Sequence, residues 1–223
     1  MNLRLLVSAI TKMMVGFLLV GLLVFLSAGT FAYPSGWILL GILFIPMFLA
    51  GILLMITSPE RLEKRLHTKE ESREQRFVIL GSALMFVAGF ILAGLGIRFG
   101  WYQLPFSVSV IFAVVFLIAY LLYAVVICQN PYLSRTIEVS ERQRVVDTGL
   151  YAVVRHPMYS VTLLLFLSMP LVLGSLYAFF VFLVYPALIV KRIRHEEDFL
   201  KKELPGYPDY CKKVKYRLIP FVW

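Results

Sequence analysis

The chain has 223 residues, is 60% hydrophobic, carries a formal net charge of +9 and has a mean hydropathy of +0.83. A soluble globular domain is nearer about 45–50% apolar, and here the apolar residues fall in long uncharged blocks, which excludes a water-soluble domain. The positive balance calls for no nucleic acid, because basic loops beside anionic lipid account for it.

Met13 to Pro59 is 47 residues without a charge, Phe77 to Ile97 is 21, Phe99 to Ser134 is 36 and Ser160 to Val190 is 31. About 20 apolar residues span a bilayer as a helix. Met13–Tyr33 and Gly36–Thr57 are expected to form a hairpin turning at Tyr33, Pro34, Ser35 and Gly36. Arg4 and Lys12 could begin a signal peptide, but apolar sequence runs on into a second span, so no cleavage is expected. The mixed-charge loop 58–76 reads as a solvated connector with a short surface helix, and His67 as an exposed residue on it. Phe77–Ile97 and Pro105–Cys128 give a second hairpin. Gly94, Gly96 and Gly100 imitate a nucleotide-binding loop but follow no strand, so they are expected to permit close helix packing instead. As one helix the Ser160–Val190 run would measure about 46 Å, more than a ~30 Å hydrocarbon core, so it is expected to break near Gly174 into helices 158–173 and 175–192.

The expected fold is therefore all-α: a polytopic membrane bundle of four spanning helices plus a C-terminal helical hairpin, with a small cap. Residues 1–128 would carry the four spans, and 129–223 the chemistry. An even number of crossings puts 21 of the 22 Lys and Arg residues on one face, leaving only Arg98 opposite. The positive-inside rule makes that face, with both termini, cytoplasmic. Cys128 and Cys211 form neither a disulfide framework nor a metal spacing. His156, His195, Glu196 and Glu197 lack the helical spacing that would place two metal ligands on one face.

Two polar segments bracket the last apolar run. The first is Thr148-Gly-Leu-Tyr-Ala-Val-Val-Arg155-His-Pro-Met-Tyr159, in which Gly149 favours a turn and Pro157 the first turn of a helix. The second runs Arg192-Ile-Arg-His-Glu196-Glu197-Asp-Phe-Leu200, with Arg192 and Glu196 on one helical face. Charged groups are costly in hydrocarbon and gather at its edge unless function needs them there. Read alone, they could be lipid-headgroup anchors and a surface helix. Brought together by the hairpin, they would offer carboxylates for an ammonium group, arginines for a carboxylate and aromatics for a purine.

These paired motifs, with the apolar hairpin between them and a Tyr/Lys-rich tail, resemble the isoprenylcysteine carboxyl methyltransferase family. The resemblance covers about 130–223 by motif and 1–129 only as a helix pattern. It implies an S-adenosylmethionine-dependent membrane methyltransferase acting on a lipid-borne acceptor. It further implies that Gln143, Arg144, Val145, Val146, Tyr151, His156, Pro157, Met158 and Tyr159 line the cofactor pocket and that Glu196, with Glu197, binds the cofactor. Arg192 would face an acceptor carboxylate, with Arg155 as a second catalytic candidate. Around Glu138 the pattern departs from the family. A carboxylate acceptor needs no general base, whereas an amine headgroup must lose a proton, with Glu197 or His156 as candidate base. A phospholipid N-methyltransferase, a sterol-reductase-like enzyme using a nicotinamide cofactor and a non-catalytic lipid-binding protein are the alternatives.

Overall fold

The computed structural model describes residues 3–59, 62–63, 73–133, 139 and 143–223. Most of the 58–76 loop, with its expected surface helix and His67, lies outside the described residues, as does Glu138. Helix α1 (Leu3–Gly21) continues into a π-helical turn (Leu22–Leu26). It is followed by α2 (Pro34–Thr57), α3 (Arg73–Arg98) and α4 (Phe106–Gln129). A 3₁₀ turn (Gly149–Ala152) then leads to α5 (Pro157–Val172), α6 (Leu176–Phe182), α7 (Val184–Glu203) and α8 (Tyr207–Lys213). Among the described residues there is no strand.

By length and composition five helices can cross a membrane: Arg4–Leu26, Pro34–Thr57, Arg76–Arg98, Phe106–Gln129 and Leu176–Glu203. The first begins earlier than the charge pattern suggests, because a single exposed Lys12 does not interrupt it. A long lysine stem lies along apolar surface while its ammonium seeks water. Nor is Pro34 in the turn: it opens α2 at the first helical position, where a missing N–H costs nothing. The turn is made upstream, at Gly29, whose φ is +69°.

The last hairpin departs most from expectation. Its first arm, α5, has 16 residues, while the second runs from Leu176 to Glu203 as a 28-residue stretch, about 24 Å and 42 Å at 1.5 Å per residue. The second arm is thus long enough for a full span, and it continues past residue 192 through the charged stretch. It is interrupted only at Leu183, one turn before the Pro186 ring would crowd the Phe182 carbonyl and fail to donate to it.

Three turns meet at one end of the bundle. Tyr33 donates its hydroxyl to the Leu173 carbonyl, and the Leu104 N–H donates to Gly174 O at 2.8 Å. The hydroxyls of Ser35 and Ser109 bond at 3.2 Å. The α5–α6 turn is therefore level with the other two, and the hairpin runs the length of the bundle. Gly174, at φ +72°, makes that turn.

Glycines set the closest approaches. A Cβ on Gly89 would stand 2.3 Å from the Phe182 ring, and one on Gly94 1.9 Å from Ser27 Oγ and 2.6 Å from the Val24 carbonyl. Gly94 thus lets α3 lie against the π-turn of α1, the packing role expected for it. The core joins Phe116, Phe182, Leu39 and Val172, all under 1% exposed, and α4 packs most extensively on α5. That pairing holds the start of α5 beside the end of α4, at the end of the bundle opposite the turns.

Candidate functional site

At that end, Gly149 has φ +60°, and a Cβ there would meet the Gln129 amide at 2.6 Å. The Gln129 Oε1 accepts from the Leu150 N–H at 2.9 Å, so the last residue of α4 fixes the loop that leads to Arg155. His156 leaves helical geometry and Pro157 starts α5.

The charged groups around Glu197 form a closed cluster. Arg155 Nε donates to Glu197 Oε1 at 2.7 Å, His156 Nε2 lies 3.2 Å from the same oxygen, and Arg217 Nε donates to Oε2 at 3.0 Å. Glu197 is 1% exposed and Arg155 7%, so each charge needs the other. Arg155 also donates from one terminal nitrogen to the carbonyls of Val214 at 2.7 Å and Lys215 at 3.1 Å. The N–H groups of Arg155 and His156 bond to the carbonyls of Tyr216 and Arg217, both at 2.9 Å. The Arg217 guanidinium covers the Trp223 ring at 5.1 Å. Together these bonds tie residues 214–223 to the start of α5.

Glu196 faces the other way. A pocket beside it is lined by Gln143, Arg144, Val145, Val146, Tyr151, Arg155, His156, Met158, Tyr159 and Glu196. Ten of the residues that the motifs nominate are thus brought together. Pro157, Arg192 and Glu197 are not among the lining residues. Tyr159 links Glu196 to Arg192: its hydroxyl donates to Glu196 Oε2 at 2.5 Å and accepts from Arg192 Nε at 2.8 Å. Arg192 is therefore one side chain removed from the pocket. His156 stacks on Tyr159 with ring centres 5.7 Å apart, and its Nδ1 lies 3.9 Å from Glu196 Oε1. From this junction a polar seam leads towards the apolar interior. Tyr185 donates to Thr162 Oγ1 at 3.0 Å, and Thr162 donates to the Tyr159 carbonyl at 3.1 Å.

The pocket is completed by residues that the motifs did not nominate: Asn130, Tyr132 and Leu133 after α4, Leu200 and Leu204 on and after α7, and Tyr207 and Tyr210 on α8. Gly206, at φ +83°, turns the chain into α8, where Tyr207 and Tyr210 share a face at i,i+3. That spacing after a Pro-Gly pair was the available signal. Tyr210 donates to the Tyr151 carbonyl at 2.7 Å. The hydroxyls of Tyr151 and Tyr207 are buried without a hydrogen-bond partner; Asn130 perturbs the Tyr151 phenol but makes no bond of normal geometry with it. An unsatisfied buried hydroxyl costs about 1–3 kcal/mol, which a bound polar ligand would offset. Burial pushes the Tyr151 phenol up to about 12 and, helped by Glu197, Cys211 and Glu196, raises Tyr207 further. Both therefore remain donors at neutral pH. Among the described residues no group of three or more His, Cys, Asp or Glu is arranged to hold a metal ion.

The model of the isoprenylcysteine carboxyl methyltransferase (ICMT) family matches residues 109–202, from α4 through the pocket loop to the end of α7. Through that region the chain is similar to the ICMT family. The match supports a methyltransferase, and the five apolar helices support a multi-pass membrane protein. The chain is also similar to the Delta(14)-sterol reductase of Mus musculus, 36% identical over 91 residues, which are 40% of this chain and 22% of that protein. The chain thus matches about a fifth of that curated relative's length.

Proposed function

We propose that this protein transfers a methyl group from S-adenosylmethionine to a lipid-borne carboxylate, in the manner of an isoprenylcysteine carboxyl methyltransferase, from a site at the cytoplasmic edge of the membrane. The observation that carries the reading is Glu196, a carboxylate on the wall of an aromatic pocket within the region that matches the family. The pocket suits the cofactor chemically: a carboxylate for an ammonium group, apolar walls from Val145, Val146, Met158 and Leu204, and two buried hydroxyls without partners. Bound there, S-adenosylmethionine would supply an electrophilic methyl on a sulfonium centre.

The chain's own residues do the rest. Glu196 holds the ammonium end, and Tyr159, hydrogen-bonded to both Glu196 and Arg192, couples cofactor grip to acceptor grip. Arg192 presents a planar guanidinium suited to two-point binding of a carboxylate. An ionised carboxylate needs no proton removed, so alignment and exclusion of water can carry the rate. An amine headgroup would need a base, and Glu197 is poorly placed for that role. Its oxygens already receive Arg155, His156 and Arg217, and a carboxylate so engaged resists taking up a proton.

The likeness to a sterol reductase favours a second reading, a nicotinamide-dependent reductase. Parallel titration of the detergent-purified protein with S-adenosylmethionine and NADPH separates the two. The proposal expects micromolar binding of S-adenosylmethionine and none of NADPH; the reverse would overturn it. Cytoplasmic placement is tested by membrane-impermeant thiol labelling at Cys211, which should require permeabilised cells.

A further inference from the structure

We infer that Tyr207, together with Tyr151, binds the α-carboxylate of S-adenosylmethionine. The inference rests on the cofactor reading above and extends it to a residue beyond the 109–202 match.

The cofactor's amino-acid end carries an ammonium and a carboxylate on one carbon. If Glu196 takes the ammonium, the carboxylate is drawn to the same corner, where Glu196 repels it. It needs buried donors that are not already committed, which the exposed Arg144 on the same wall is not. Arg155 is bound to Glu197 and to two tail carbonyls. Arg217 is bound to Glu197. Tyr159 donates to Glu196 and Tyr210 to the Tyr151 carbonyl. Of the five tyrosines on the wall, Tyr132, Tyr151, Tyr159, Tyr207 and Tyr210, Tyr151 and Tyr207 are the two whose hydroxyls are buried without a hydrogen-bond partner. They are 6% and 4% exposed and line the same pocket as Glu196. A phenol donates one hydrogen bond to a carboxylate, and a charge-assisted bond in a buried site is among the stronger ones.

The test compares S-adenosylmethionine with its decarboxylated analogue by calorimetry on the full purified chain. Tyr207→Phe keeps the ring that packs against Tyr210 at 5.7 Å and removes only the donor. It should weaken S-adenosylmethionine about ten- to a hundredfold and leave the decarboxylated analogue within about twofold of wild type. Tyr151→Phe should show the same selective loss, and it carries the test if the first variant does not fold. Equal losses for both ligands, as a ribose contact or general loosening would give, overturn the inference, and so does no loss for either. If wild type binds neither ligand, the cofactor reading fails and this inference with it, an outcome distinct from a normal wild type with indifferent variants.

Discussion

Glu197→Ala is the most informative structural perturbation. It removes the one carboxylate on which Arg155, His156 and Arg217 converge at 2.7, 3.2 and 3.0 Å. Arg155, 7% exposed, would keep its bonds to the Val214 and Lys215 carbonyls but lose its counter-charge. Breaking a buried pair from one side costs roughly 3–5 kcal/mol. At about 2–4 °C per kcal/mol for a chain of this size, the melting point should fall by roughly 6–20 °C. Arg217 would be released too, so the tail from Val214 should become cleavable by trypsin at Lys215 and Arg217. Thermal unfolding in detergent and a timed trypsin digest read the two effects, with Glu203→Ala, exposed at the end of the same helix, as the control. Unchanged melting and digestion, with only cofactor affinity lost, would refute the brace and make Glu197 a ligand.

Glu196→Gln should weaken S-adenosylmethionine about ten- to a hundredfold by calorimetry, the loss of one charge-assisted bond of about 1.5–3 kcal/mol, with little change in melting, since Glu196 is only half-buried. Arg192→Lys keeps the charge but loses the planar fork; steady-state kinetics should show turnover with a carboxylate acceptor down about a hundredfold, and cofactor affinity nearly intact. With an amine acceptor the effect should be mild. Gly94→Val should destabilise the fold by about 1–3 kcal/mol, because its Cβ would stand 1.9 Å from Ser27 Oγ, and fluorescence-detected gel filtration after heating would report it.

The all-helical, membrane-spanning character was legible because uncharged blocks of bilayer length leave few other solutions. Charge alone misplaced the start of α1, since one lysine cannot stop a helix, and it ended the last helix at residue 192, although α7 continues to Glu203 through its charged stretch. The motif from Thr148 to Tyr159 announced a site because charge at a membrane edge demands a reason. The division of labour between Glu196 and Glu197 was not legible. Adjacent residues on a helix point about 100° apart, and only the returning tail decides which meets Arg217. Tyr207 was hinted at only by its spacing to Tyr210 after Pro205 and Gly206; that it faces the pocket depends on the docking of α8, which leaves no trace in the sequence.

Methyl transfer itself tests the central claim most directly. The purified protein in liposomes is given methyl-labelled S-adenosylmethionine and a prenylated cysteine with a free carboxylate. Base treatment of the extracted lipid then releases labelled methanol from any ester. The account predicts base-labile label that depends on the acceptor and falls with Arg192→Lys. Label that enters the lipid but resists base would put the methyl on nitrogen, and no transfer from a preparation that binds NADPH would contradict a methyltransferase altogether.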